Sequence, residues 1–445
     1  MVELLTALDA EQRQRRSAAG LFAQGLREGE VVAFCLSGSA DLLCAILGAT
    51  RSGLLPAVLN PGLTELERDR YLDLIQPRLV ISTDAQLFAL FGDAERELAP
   101  HPLTKPIHFT SGTTGIAKAV TTGFFDEATA KRVVDDEQEV WEFAPGDRLF
   151  MCSPVHHTVG IRLPMVALAH GADVLVSKSF EASAALESLR SDQPTTAFMV
   201  PTHLQRLLAL PQLGTDERFS SLRYLVHAGS SCPPALKHAA MNRVGGQGIL
   251  EFYGATETQF AFCTQDEWLE HPGTVGKARQ GRTLCIDPID GNIGTIWCDV
   301  PDFARFSYFG NEAATADAWR GNACTVGDLG ELDADGFLYL TGRRHDLIIT
   351  GGVNVYPAEI EAALTGITGV HEICVFSLDD DTWGQMVCCA VVGDSSAVER
   401  LRERSTQVLA PYKRPKEYFE LSELPMTATG KVLRRALAEL VVSTE

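Results

Sequence analysis

At 445 residues the chain is too long to be organised around one hydrophobic core, and two or more domains are expected. Thirty-eight Lys and Arg against 58 Asp and Glu leave a formal net charge of −20. That balance argues against sequence-independent binding to nucleic acid, which runs on cationic contacts to phosphate, though it leaves room for a local anion site.

Taken from the N-terminus, residues 1–16 lack the apolar core of a secretion signal. Apolar residues spaced among charges over 3–27 predict an amphipathic helix. Short apolar runs at 31–36 and 79–82 predict buried strands, and 41–51 a helix, with a turn at Asn60-Pro61-Gly62. This strand–helix alternation points to an α/β layered fold with parallel strands. No apolar run reaches the roughly 20 residues needed to cross a bilayer, so no membrane span is expected. Eleven cysteines, an odd number without Cys-x-x-Cys spacing, are expected to be free thiols in a cytoplasmic, reducing setting.

The stretch 109–118, Phe-Thr-Ser-Gly-Thr-Thr-Gly-Ile-Ala-Lys, follows a short apolar run and reads as a strand entering a loop. Glycines permit close backbone approach to an anion, while hydroxyls, amides and an ammonium supply donors. A phosphate cradle fits, and so does a plain Ser/Thr/Gly surface loop. A Walker A loop does not fit, because Ala117 and Ala119 flank Lys118 where Gly and Ser/Thr are required.

Residues 126–145 predict a charged helix and 148–152 a strand, which ends at a His156-His157 pair followed by Gly160. Such a pair lines a site or simply packs. Strands are predicted at 174–177, 196–200 and 224–227, the last ending in the small-residue turn Ala228-Gly229-Ser230-Ser231. A further strand over 249–252 runs into Tyr253-Gly254-Ala255-Thr256-Glu257-Thr258. That set offers a ring to stack, a hydroxyl for phosphate and a carboxylate for Mg²⁺. Residues 272–345 suit β-ribbons, with Asp328 in a Gly-flanked turn. From about 344 the pattern changes to a compact α+β unit with paired strands at 373–377 and 386–392. It closes on Leu424-Pro425-Met426-Thr427-Ala428-Thr429-Gly430-Lys431.

In order and spacing, the segments 110–118, 154–160, 253–258, 327–330, 341–361 and 424–431 resemble the adenylate-forming superfamily. That group comprises acyl- and aryl-CoA ligases, peptide-synthetase adenylation domains and luciferases. The resemblance covers about 31–435. It implies a large N-terminal domain of layered α/β sheets (1–343) and a small mobile α+β C-terminal lid (344–445). It also implies two half-reactions, in which a carboxylic acid attacks ATP to give an acyl-adenylate and pyrophosphate, and a thiol then displaces AMP. The thiol would belong to CoA or to the phosphopantetheine of an acyl carrier protein.

Residue by residue, the resemblance implies that Thr110, Ser111, Gly112, Thr113, Thr114, Gly115 and Lys118 hold the β- and γ-phosphates. Tyr253 would stack on adenine, Thr256 meet the α-phosphate and Glu257 ligate Mg²⁺. Asp328 would hold ribose, with Arg343 beside it as a further ribose or phosphate contact. Lys431 would bridge the substrate carboxylate and the α-phosphate, and His157 would separate acid from thiol. Gly351 and Gly352 would line a pantetheine tunnel, and Gly229 would help form the acid pocket.

Three departures stand out. Ala117 and Ala119 replace residues usual beside the loop lysine, without removing a donor. His345 occupies the usual hinge position, where Asp or Lys is common. The phosphate loop comes early, so peripheral N-terminal structure is expected to be reduced, with consequences for a possible homodimer or for substrate range. The pocket expected from 156–161, 228–230 and 254–258 is small-residue and mostly apolar. It would suit an aryl or short-to-medium acyl acid. Amino-acid-activating relatives place an Asp just after the His segment, and Thr158-Val159-Gly160-Ile161-Arg162 has none. A buried ammonium would go unpaired there. A protein that binds an acyl-nucleotide without turnover is the rival reading, which loss of Lys431 or Glu257 would favour; both are present.

Overall fold

The computed structural model describes residues 2–110, 118–343, 346–350, 353–380, 383–426 and 432–442. The chain forms two compact units, Met1–Leu284 with Cys298–Cys324, and Cys285–Trp297 with Thr325–Glu445. The boundary expected between 343 and 344 falls inside the second of these.

The first unit is built on an eight-stranded sheet. Its order is Val2–Leu5, Asp173–Ser177, Arg148–Met151, Thr196–Phe198, Tyr224–His227, Gly248–Gly254, Gln259–Thr264, Lys277–Ala278. The strands from Asp173–Ser177 to Gly248–Gly254 pair in parallel. Side chains alternate between two cores. Leu149, Met151, Val174, Val176, Phe198, Val226 and Leu250 face one; Phe150, Leu175, Ala197, Leu225 and Ile249 face the other. A sheet buried on both faces needs apolar residues at successive positions, which is why these strands read as continuous apolar runs.

On one face lies the helix Ala40–Arg51, buried from Ala40 to Thr50 except at Asp41. A helix apolar all round must sit between layers. It shares its core with Val32 and Phe34 of a parallel sheet ordered Leu55–Val58, Val31–Phe34, Leu79–Ile81. A third sheet joins Ser307–Tyr308, Lys118–Thr121 and His108–Thr110.

One local expectation fails at the N-terminus. Residues 2–5 form a strand antiparallel to Asp173–Ser177, and the helix runs only over Ala7–Ala23. The Thr6 hydroxyl accepts from the Asp9 amide at 3.2 Å and caps the helix. The residues before the cap are recruited to the sheet edge, a tertiary effect that local periodicity does not carry.

In the second unit, Val370–Asp380 and Gly384–Gly393 pair antiparallel, with Ile373 opposite Val391 and Ser377 opposite Val387. Val375, Val387, Cys389 and Val391 face a core with Ile360 and Leu401. Cys374, Phe376, Cys388 and Ala390 face another with Leu424 and Leu437. The neighbours Cys388 and Cys389 therefore point to opposite sides, and all eleven cysteines are free thiols. Among the described residues no helix is long and apolar enough to cross a membrane.

Candidate functional site

Parallel strands present their carboxyl ends to one edge of a sheet, where ligands are commonly taken up. Three of the segments singled out in the sequence emerge there. Met151 leads to the His156-His157 pair, His227 to the turn around Gly229, and Gly254 to Thr256 and Glu257. The last turn is tight, with the Ala255 amide donating to the Thr258 carbonyl at 2.9 Å before the strand Gln259–Thr264 returns. Gly229 has φ of +94°, in the left-handed region where a side chain is strained. Tyr253 is buried, its ring edge-to-face with Phe260 at 5.7 Å.

Glu257 is oriented by a residue that the sequence did not flag. The Tyr308 hydroxyl donates to Glu257 Oε1 at 2.8 Å. Burial, reinforced by the Glu257 charge, pushes the Tyr308 phenol well above its usual range, so it stays a protonated donor. The Lys118 ammonium lies 4.4 Å from the centre of the same ring. Lys118 pairs with Thr110 across two antiparallel strands, which brings both ends of the loop together. Ser111, Gly112, Thr113, Thr114 and Gly115 lie outside the described residues, as do Gly351, Gly352, His345 and Lys431.

His157 stands at the N-terminus of the helix Thr158–Ala169 and makes no side-chain capping bond. Its ring is tilted against His156 at 4.5 Å. Burial, with His157 and His108 nearby, lowers His156 to about 3. Burial likewise lowers His108 to about 4, although the His156 carbonyl 3.3 Å from its Nδ1 works in the opposite sense. Both are neutral at pH 7. A side chain at Gly160 would meet the Pro154 carbonyl oxygen at 2.3 Å, so glycine lets this helix start close beneath the preceding turn.

Thr256, Glu257, Thr258 and Ile161 line a cavity of about 90 Å³. Val120, Val133, Met165 and Phe303 give it apolar walls, while Gly229, His156 and His157 are not among its lining residues. Besides Glu257, which the sequence singled out, the charged groups Lys105, Asp136, Glu137, Arg162 and Arg282 project between them, and these were not anticipated. Asp136 accepts from Arg282 at 2.9 and 3.0 Å and from Arg279 at 3.0 Å. Glu137 accepts from Arg279 at 3.1 Å and from the Trp141 indole at 3.0 Å. Burial alone would raise Glu137, but the Arg162 and Arg279 charges outweigh it and hold the carboxyl at about 2. Burial brings Lys105, on the same wall, down to about 8. One signal was available for Arg162. It is the single charged residue in the otherwise apolar helix Thr158–Ala169, which marks a cation turned inward.

In the second unit, Asp328 and Arg343 are cross-strand partners, with Arg343 Nε 3.3 Å from Asp328 Oδ1. Three basic residues farther along this unit, Lys413, Arg414 and Lys416, are engaged within it. Lys413 pairs with Glu359. Arg414 donates to the Leu409 and Thr406 carbonyls at 2.8 and 3.0 Å, and Lys416 to Pro411 at 3.1 Å.

The chain matches the family model for AMP-binding enzymes over residues 3–305 and that for the AMP-binding enzyme C-terminal domain over 359–431. A 2-succinylbenzoate–CoA ligase of Geobacillus sp. (strain WCH70) is 30% identical over an alignment of 473 positions, covering 99% of this chain and 93% of the relative. Among solved structures, o-succinylbenzoate CoA synthetase from Bacillus subtilis in complex with the acyl-adenylate intermediate OSB-AMP aligns at a TM-score of 0.87. Identity is 26%, over 97% of this chain and 92% of that one. The same synthetase in complex with ATP and magnesium ion gives 0.85 at 25% identity, over 97% and 94%.

Proposed function

The chain belongs to the AMP-binding enzyme family, and on that premise we propose how its residues divide the work of an AMP-forming acid–thiol ligase. A carboxylate oxygen of the acid attacks the α-phosphorus of ATP and pyrophosphate leaves with the broken phosphoanhydride bond. The thiol of CoA then attacks the acyl carbon of the adenylate, and AMP leaves. CoA is the acceptor of the Geobacillus relative, a 2-succinylbenzoate–CoA ligase, and a carrier-protein phosphopantetheine is the second choice. The eleven free thiols fit a reducing cytoplasm.

The observation that carries this reading is the turn 255–258 at the carboxyl edge of the parallel strands, with Glu257 held by Tyr308 and Tyr308 contacted by Lys118. Thr256 bonds the α-phosphate. Mg²⁺ takes few protein carboxylates and several phosphate oxygens, and a single oriented carboxylate at Glu257 fits that demand. When bound, the ion spreads the negative charge of the phosphates. Lys118, Thr110 and the loop 111–115 grip the leaving pyrophosphate. Tyr253 borders adenine, Asp328 and Arg343 hold ribose, and Gly229 borders the acid. His157 screens the acid from the thiol, and Gly351 and Gly352 admit the pantetheine arm. Lys431, on the proposed lid 344–445, meets the incoming carboxylate, where an ammonium cancels repulsion between two anions.

The acid is an aryl or short-to-medium acyl acid. An α-amino acid is disfavoured further by the cavity's own carboxylates, since Asp136 and Glu137 are already bonded by Arg279 and Arg282. ATP–pyrophosphate exchange with 2-succinylbenzoate, benzoate, fatty acids and amino acids tests the reading. Exchange with aryl or acyl acids, followed by thioester formation on adding CoA, is the expected result. No exchange with any acid overturns it.

A further inference from the structure

The chain that carries Lys431 is held on both sides by described residues. Val432 bridges Met426 in antiparallel register, and the Leu433 amide donates to the Pro425 carbonyl at 2.7 Å, so the two ends of 427–431 are joined. Arg434 follows at once and opens the helix Arg434–Val442. Leu437 and Val441 of that helix are buried in a core with Cys374, Phe376 and Leu424. Such apolar contact seats a helix on a sheet without direction, so it leaves the first turn free to pivot.

Arg434 removes that freedom through three separate parts of the same unit. Its Nε donates to the Val375 carbonyl at 2.7 Å, Nη1 to Asp346 Oδ2 at 2.5 Å and Nη2 to Glu361 Oε1 at 2.6 Å. The Val375 amide donates to the same Glu361 oxygen at 2.8 Å, which joins carboxylate, strand and guanidinium. All three charged side chains are only 24% exposed, so water competes weakly for these bonds. Asp346 comes directly after His345, the expected hinge position, and Arg434 comes three residues after Lys431, at most about 10 Å along the chain.

We propose that Arg434 is a positioning residue for Lys431. The inference rests on the reading of Lys431 as the ammonium that meets the incoming carboxylate. A lysine acts there as a point charge on a long flexible stem, so its placing depends on how firmly its own backbone is held. The planar guanidinium fork supplies that hold by fixing the chain just beyond Val432 to the residue after the hinge, to the helix Pro357–Ala363 through Glu361, and to the strand Val370–Asp380. Arg434 itself touches neither substrate nor nucleotide in this scheme.

Two assays separate the half-reactions: ATP–pyrophosphate exchange with an acid the wild type accepts, and thioester formation from a supplied acyl-adenylate and CoA. Arg434→Met should lower kcat for exchange by roughly 10- to 100-fold, the cost of misplacing a reacting group by about 1 Å. KM for ATP and the thioester step should stay at wild-type values. Arg434→Lys should recover only part of the loss, because one ammonium cannot span two carboxylates and a carbonyl in the fork geometry. Asp346→Asn keeps the shape and one acceptor; it should show a smaller loss of the same kind, and it serves if the Arg434 variants do not fold. In a Lys431→Ala background, Arg434→Met should cost adenylate formation nothing further, since no ammonium is left to place. Equal loss in both half-reactions, or losses that multiply in the double variant, would make Arg434 a support of the whole unit and overturn the proposal. Wild-type exchange in Arg434→Met or Asp346→Asn overturns it as well, and so does exchange that survives Lys431→Ala. A wild-type protein with no exchange on any acid sinks the ligase reading first.

Discussion

Tyr308→Phe isolates one hydroxyl. The ring stays, so its contact with Lys118 at 4.4 Å persists and the packing against Phe306 is kept. The donation to Glu257 Oε1 at 2.8 Å is lost. A hydrogen bond to a charged group is worth about 1.5–3 kcal/mol. Glu257 is only partly buried, so water replaces some of that and the lower end applies. About 1.5 kcal/mol corresponds to roughly a tenfold fall in kcat/KM for adenylate formation. Because the lost bond orients the proposed Mg²⁺ ligand, the half-saturating Mg²⁺ concentration should rise by a similar factor. Folding stability should fall by no more than about 1.5 kcal/mol. Pyrophosphate exchange measured across an Mg²⁺ series reads both quantities. Exchange and Mg²⁺ dependence equal to those of the wild type would refute the claim that Tyr308 positions Glu257 for the metal.

Lys431→Ala should lose adenylate formation by orders of magnitude yet still convert a supplied acyl-adenylate to the thioester; surviving pyrophosphate exchange would remove its assigned role. Gly352→Trp should spare adenylation and block thioester formation, and equal loss of both steps would count against a tunnel there. Glu137→Ala should cost about 3–5 kcal/mol in denaturant unfolding, because it removes the carboxylate paired with buried Arg162 and one of the two paired with buried Arg279. The wild-type contribution of Glu137 is complete above its unfolded pKa near 4.5 and is lost as pH falls toward 2, so unfolding at pH 3 should narrow the gap between the two proteins. Lys105 is charged below about 8, favoured there by Glu137 and Asp136 and opposed by Arg162 and Arg282. If the acid enters this cavity, KM for the anionic acid should therefore climb above pH 8, and Lys105→Met should flatten that rise.

The parallel strands were legible because burial on both faces writes itself as uninterrupted apolar runs such as Leu149-Phe150-Met151 and Leu225-Val226. The turn Tyr253 to Thr258 was legible because it concentrates unlike chemistry in consecutive positions. Tyr308 carried no local sign, since its partner Glu257 lies 51 residues earlier and its strand is two residues long. The helix Thr158–Ala169 was hidden by Gly160 and by Pro164 in its interior, both of which read as breakers. With that helix unread, Arg162 had no face to point from. The ion cluster was beyond reach for a related reason. Glu137 and Arg279 are 142 positions apart, and charges that solvate a surface look the same in sequence as charges that meet in a core.

The strand Val2–Leu5 carries a practical consequence. It is the terminal strand of the eight-stranded sheet, bonded on one side to Asp173–Ser177. Removing it would strip backbone partners from a strand whose Val174, Leu175 and Val176 are buried, leaving a β-branched edge open to a neighbouring molecule. An expression variant trimmed by its first five residues should keep its nucleotide chemistry in dilute solution and precipitate as it is concentrated. An affinity tag joined there extends a sheet edge.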